Sequence, residues 1–431
     1  MIFNADNFPE LPHGWTSLTV DNSVESAGNS NKKLKTKDAL EHGRFPVIDQ
    51  GQSDISGYSD DESLVVEASE SSPVILFGDH TRLLKQISQP FVPGADGTKL
   101  FRAKSFWDTR FVYQMLRALK LPDKGYARHF QYLRDSVLPL PPLPEQKRVA
   151  DKLDAVLARV DACRDRLDRI PAILKRFRQS VLAAATSGKL TEDWRVKDLR
   201  SLDGWSESTV GELIERIEAG LNVKCEERPP EVGEIGLVKI SAVTWGAFND
   251  DESKTLPRGT TLPESARIQV GDFLISRANT LELVGACVIV DKINRPVYLS
   301  DKVLRLVLPK ETRRWLLYVL RSNAGRKQIE TLASGNQLSM RNLSQANLKS
   351  IRISMPPADE MCEIIRRVES LFAFAERLEA RHAAARAQVE KLTPATLAKA
   401  FRGELVPQDP NDEAASELLE RIRVTTLSKN R

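Results

Sequence analysis

The chain has 431 residues, too many for one ordinary core and suited to two or three domains, and its 28% charged and 41% hydrophobic residues fit a soluble globular protein. No apolar run approaches the roughly 20 residues that cross a bilayer, and residues 1–13 carry acids and prolines in place of a basic and apolar leader, so a cytoplasmic protein is expected. Cys163, Cys225, Cys287 and Cys362 are scattered, which indicates neither a zinc ribbon nor a disulfide framework, and a net charge of +4 is only a faint sign of a polyanionic partner.

Along the chain, the first segment, 1–139, opens on Gly14-Trp15 and Val20. Its apolar run 72–77 predicts a strand and 108–119 predicts a helix, so a mixed α and β module is expected. Two polar loops stand out: Asp79-His80-Thr81-Arg82, and Gly94 to Lys99 followed by Arg102 and Lys104. Leu140-Pro141-Pro142 then opens a long helix with Glu145 early, where an acid suits the positive end of the dipole, and Gly188 stands where a left-handed cap is expected. Its apolar positions are Val149, Leu153, Val156, Val160, Cys163, Leu167, Ile170, Leu174, Phe177 and Val181, spaced by threes and fours as in a heptad seam.

The second half repeats this plan. Gly204-Trp205 and Val210 lie 190 residues after their first copies, while Met355-Pro356-Pro357, Glu360 and Gly403 lie 215 residues after theirs. Strands are predicted at 237–240, 273–275, 286–290 and 303–308, and a helix at 313–331. The second seam comprises Ile364, Val368, Leu371, Ala375, Leu378, His382, Ala385, Val389 and Leu392, and is smaller and more polar. If the helices pair they run antiparallel, and roughly 43 residues at about 1.5 Å each make a spacer near 60 Å long. Pro171 and Pro394 predict a kink or restart in each helix.

The second segment, 196–354, offers its own loop residues: Arg277 and Asn279 after a strand, Lys302 before another, and Asn336, Gln337 and Arg341 near its end. Arg, Asn and Gln can pair with purine edges while Lys suits phosphates, so as a group with His80, Arg82, Lys99, Arg102 and Lys104 these are candidate DNA contacts. Gly-x4-Gly-Lys-Ser/Thr and Gly-x-Gly-x-x-Gly do not occur, the five histidines show no metal spacing, and no catalytic constellation is found. A non-catalytic chain without a metal or a cofactor of its own is expected.

The chain resembles the specificity subunit of Type I restriction-modification systems. The likeness is carried by Leu138-Pro139-Leu140-Pro141-Pro142-Leu143-Pro144-Glu145-Gln146, by Ala184 to Leu190, by the second copy from Pro356-Pro357 to Ala400-Phe401-Arg402-Gly403-Glu404-Leu405, and by Phe91 to Gly97 and Leu274 to Thr280. It implies an α+β chain of two mixed target recognition domains, 1–143 and 196–358, joined by two long helices, 144–195 and 359–410, that pair as an antiparallel coiled coil in a pseudo-two-fold repeat, with 411–431 as a C-terminal tail. It also implies a bipartite, asymmetric double-stranded DNA site and docking of two modification subunits that bring S-adenosylmethionine. Restriction subunits, two where present, would bring ATP and Mg. The other reading is a non-catalytic coiled-coil scaffold whose two modules bind proteins or another ligand.

Overall fold

The computed structural model describes residues 10–28, 33–95, 97–125, 127–197, 204–260, 262–337 and 340–429. The chain forms two units, residues 1–168 with 383–431 and residues 169–382, so each unit contains one end of each long helix.

In the first unit the central strand, Val74–Gly78, is buried along its whole length. Ile75 and Phe77 enter a core with Phe101, Phe111, Leu140, Val149 and Leu153, whereas Val74 and Leu76 enter a smaller one with Ile48 and Phe91. A strand that feeds two cores cannot alternate with polar residues, hence the unbroken Val-Ile-Leu-Phe run. The antiparallel sheet runs in the order Val24–Ser26, Thr98–Ala103, Val74–Gly78, Leu84–Ile87. Beside it, Phe45–Ile48 pairs antiparallel with Gly57–Ser59 and parallel with Val92–Ala95.

The second unit reproduces this topology with different residues. Its antiparallel sheet runs Arg216–Ala219, Val303–Val307, Phe273–Ser276, Cys287–Ile289, and Gly236–Val238 pairs antiparallel with Ser253–Thr255 and parallel with Val297–Tyr298. Phe273 and Ile275 face the core of Trp315, Ile351 and Ile364, while Leu274 faces Val238 and Val243. An added small sheet joins Ala278–Asn279, Met340–Asn342 and Ser334–Gln337.

The two offsets meet at one junction, built the same way in both units. Thr16–Thr19 pairs with Val137–Leu140, Thr16 opposite Leu140, and Ser206–Thr209 pairs with Arg352–Met355, Ser206 opposite Met355. Just before each strand a tryptophan reaches the first turn of a long helix: Trp15 Nε1 donates to Glu145 Oε2 at 2.9 Å and Trp205 Nε1 donates to Glu360 Oε2 at 2.9 Å. An indole N–H taken from water needs an acceptor, and a first-turn carboxylate supplies one where the helix dipole favours it. Burial pushes the Glu145 carboxyl above the usual carboxylate range, against the pull of the Trp15 indole and of Arg148. The far ends of the helices close on the same points. Arg195 donates to the Gly188 carbonyl at 2.6 Å and also to Glu360, and Gly403, at φ +70°, lies so close to Pro12 and Trp15 that a Cβ there would clash.

The long helices, Leu143–Thr186 and Ala358–Ala400, pair antiparallel within each unit. In the first unit Arg164 donates to Thr393 Oγ1 at 3.0 Å and Asp168 accepts from Arg386; Val149 and Leu153 are fully buried in the core that holds Ala400 and Phe401. In the second, Arg178 donates to Glu379 at 2.9 Å and Val181 and Leu182 pack in one core with Ile364 and Val368. Val160 and Leu174 are also buried, and Val156, Leu167, Leu371, Leu378 and Val389 are half-buried.

Several expectations need correction. Leu392 is 47% exposed and is not a seam residue; the step after Val389 is four residues, to Thr393, because a 3.6-residue helix drifts from a strict heptad. Cys163 is exposed as well, although Val160 and Leu167 on either side of it keep the seam. Neither Pro171 nor Pro394 restarts its helix, and both sit at exposed positions where the carbonyl left without a donor can turn to water. The single helix expected at 313–331 is two, Lys310–Arg321 and Asn323–Leu332, because Ser322 adopts an extended backbone and its side chain caps Gly325. Residues 411–431 hold a helix, Ala415–Lys429, whose Ala415 and Leu418 are buried in the first core.

Two substitutions separate the buried seam from the exposed position. Leu153→Asp is expected to lower the unfolding free energy of the first unit by more than about 3 kcal/mol, since its charge has neither water nor a partner, whereas Leu392→Asp should change it by less than about 0.5 kcal/mol. Denaturant unfolding followed by circular dichroism checks both, and equal losses would make Leu392 as much a seam residue as Leu153.

Candidate nucleic-acid interface

In each unit the turn that follows the central strand meets the loop that follows the parallel-paired strand. In the first unit, Asp79 to Arg82 follow Val74–Gly78, and the loop 49–56 follows Phe45–Ile48. Gln50 Oε1 accepts the His80 amide at 3.2 Å, and Thr81 Oγ1 donates to the Gln50 carbonyl at 2.9 Å. Gly97, at φ +75°, packs so tightly under His80 that a Cβ would lie 2.7 Å from its ring, so the loop after Ala95 joins the same surface. Asp96 in that loop lies outside the described residues.

The second unit uses the matching positions with other chemistry. Arg277 and Asn279 follow Phe273–Ser276, and the loop 239–252 follows Gly236–Val238. Asn279 Nδ2 lies 3.5 Å from Thr244 Oγ1, while the Arg277 amide donates to the Lys302 carbonyl at 3.0 Å. Asn279 stands opposite Arg341 in the added sheet, so Arg277, Asn279, Lys302 and Arg341 converge. Among the described residues the Arg277 guanidinium has no hydrogen-bond or ion-pair partner, which leaves a delocalised fork of donors available. Lys302 pairs with Asp301 at 3.3 Å, and Arg341 donates to the Gly335 carbonyl at 2.6 Å. The side chains of Asn336 and Gln337 lie outside the described residues.

The remaining basic candidates of the first unit do not form one patch. Lys99 and Arg102 are three apart on Thr98–Ala103 and therefore point to opposite faces. The Lys99 ammonium lies 5.6 Å from the centre of the Phe130 ring, and Arg102 donates to the Glu67 carbonyl. Arg82, at φ +61°, is held by Asp123 at 3.1 Å, and the Gly125 amide together with that guanidinium keeps the Asp123 carboxyl below the usual range. Lys104 follows the strand and adds to the field that lowers the Asp21 carboxyl, to which Arg134 is the main contributor. The residues that sequence reasoning passed over are Gln50, Thr244 and Trp245, because their loops join the surface only through parallel strand pairing distant in sequence.

Not every arginine is a candidate. Arg305 is enclosed by Glu218 at 2.7 Å, Asp272 at 2.8 Å and the Ser265 carbonyl at 2.7 Å, an arrangement that ties three segments together. Among the described residues no group of His, Cys, Asp and Glu could hold a metal ion, and no helix is long and apolar enough to cross a membrane.

No family model matches the chain. It is 35% identical over 298 residues to the type I restriction enzyme EcoKI specificity subunit of Escherichia coli K12, a match that takes 66% of this chain and 63% of that protein. It is 26% identical over 462 aligned positions to the EcoDI specificity subunit of Escherichia coli, covering 96% of both. A solved chain from work on the assembly and conformational transition of a type I R-M system superposes with a TM-score of 0.63 at 18% identity, over 92% of this chain and 100% of that one, and so shares its fold.

The difference between enclosed and available arginines is measurable. Arg305→Ala should cost about 3 to 5 kcal/mol of stability, because it strands two partly buried carboxylates. Arg277→Ala should stay within about 0.5 kcal/mol. Chemical denaturation of each variant checks this, and a large loss at Arg277 would make it a structural residue.

Proposed function

We propose that this chain is a type I restriction enzyme specificity subunit, as its likeness to such subunits supports, and that it is the non-catalytic chain that reads a bipartite, asymmetric DNA sequence, one half with each unit. In this reading the paired helices set the unread gap and dock two modification subunits, which carry S-adenosylmethionine, and restriction subunits bring ATP and Mg. The work is intracellular, in the cytoplasm, where the DNA is.

One observation carries the proposal. Two units share the order of the central antiparallel sheet and the parallel pairing beside it, yet place different side chains at the matched reading positions: His80 and Thr81 against Gln50 in one, Arg277 and Asn279 against Thr244 in the other. A scaffold for two similar partners has no need of that contrast, whereas reading two unlike half-sites requires it. Arg277 suits a bidentate contact to guanine and Asn279 one to adenine.

Replacing residues 204–354 with the corresponding segment of a relative of different specificity should change one half of the recognised sequence and leave the other intact, as read by mapping methylated adenines. Arg277→Ala should weaken or relax the same half by about 1 to 3 kcal/mol while the other half keeps its preference. A change in both halves would refute the two-reader account.

A further inference from the structure

We propose that Trp245 is the aromatic wedge of the second reading surface, set to stack its indole on a nucleobase of that half-site; the inference rests on the DNA-reading function proposed above. Trp245 is 74% exposed, yet the backbone on either side is fixed. Ala242 and Val243 are buried in the core with Leu274 and Val288, and the Asn249 amide closes the loop on the Ala242 carbonyl at 3.0 Å. Gly246 turns the chain at φ +89°, and Arg321 donates to its carbonyl at 2.7 Å. Thr244, on the other side, is the residue that Asn279 contacts.

A single exposed apolar residue is ordinary on a protein surface. This one differs in its support and its neighbours. The braced turn gives the indole a fixed base, so little backbone entropy is lost when it is engaged. Its neighbours across Thr244 are Asn279 and, through the added sheet, Arg341 and Arg277, and not the apolar rim that a protein partner's core would meet. The acids near the loop are already engaged: Asp251 with Arg295, Glu252 with the Ser241 hydroxyl at 2.6 Å, and Asp301 with Lys302. A flat π-surface among amide and guanidinium donors is what a displaced or kinked base step accepts.

The test uses the full chain and a duplex that the wild type selects from a random pool, labelled with 2-aminopurine at successive positions of the second half-site. Trp245→Ala should weaken binding of that duplex about 5- to 100-fold, and Trp245→Phe should recover most of the loss. The wild type should change 2-aminopurine fluorescence at one step, quenching the base stacked on the indole or brightening the neighbour it is parted from, and Trp245→Ala should not, with the thermal transition unchanged because the side chain is exposed. Val270→Ser removes another exposed apolar residue, 65% exposed, at the opposite end of Phe273–Ser276, and should leave affinity unchanged. If the wild type selects no duplex, the DNA reading itself fails and the wedge with it. If the wild type selects one and Trp245→Ala binds it equally, or loses a co-purifying protein instead, the wedge alone is overturned.

Discussion

Each half of the molecule is organised around a buried carboxylate that accepts a tryptophan N–H at the start of a long helix. Trp15 with Glu145, and Trp205 with Glu360, fix the entry strand of a unit to the helix that leaves it, and the strand pairs beside them keep one register in both copies. Between those fixed edges the chain is free to vary, since the sheets and cores need only apolar residues of suitable volume. The arrangement has a cost. The Glu145 carboxyl is raised above its ordinary value by burial, so this carboxylate contributes a loss of stability as pH rises from the ordinary carboxylate range through the raised value, the reverse of an exposed ion pair. Gly188 and Gly403 complete the junctions by ending each helix in the left-handed conformation next to the other helix's start.

Much of this was legible in the sequence, and the failures have physical causes. The helix boundaries followed from proline pairs, early acids and capping glycines, which act locally. The two repeat offsets were equally plain, but nothing in either offset shows that Trp15 reaches Glu145 across 130 residues. Leu392 misled because a heptad template was extended past the point where helical drift rotates Thr393 inward. Ser322 misled because a serine caps as readily as it continues, and the outcome depends on Gly325 packing within 2.0 Å, for a Cβ, of the Val319 carbonyl. For the candidate contacts, Lys99 and Arg102 were grouped because the polar residues around them hid the strand Thr98–Ala103, along which they alternate, while the loops bearing Gln50 and Trp245 required knowledge of parallel pairing.

The two units illustrate how one topology can present unlike surfaces. The central strand is buried on both faces, which leaves its C-terminal turn as the place where side chains can change without touching a core. In the first unit that turn is compact and held by Gln50; in the second it is extended by the added sheet, and the facing loop projects Trp245. A fixed frame with variable turns is the usual division of labour between scaffold and recognition loop.

In the proposed function the paired helices set the unread gap between two half-sites, and the most direct measurement is that gap in selected DNA. One heptad inserted into each helix, after Leu167 and after His382, keeps the seam and adds about 10 Å. At about 3.4 Å per base pair, duplexes selected from a random pool should then carry a gap about three base pairs longer, even if affinity falls because the half-sites rotate about the duplex axis. An unchanged gap would contradict the claim and leave the helices as a docking platform alone.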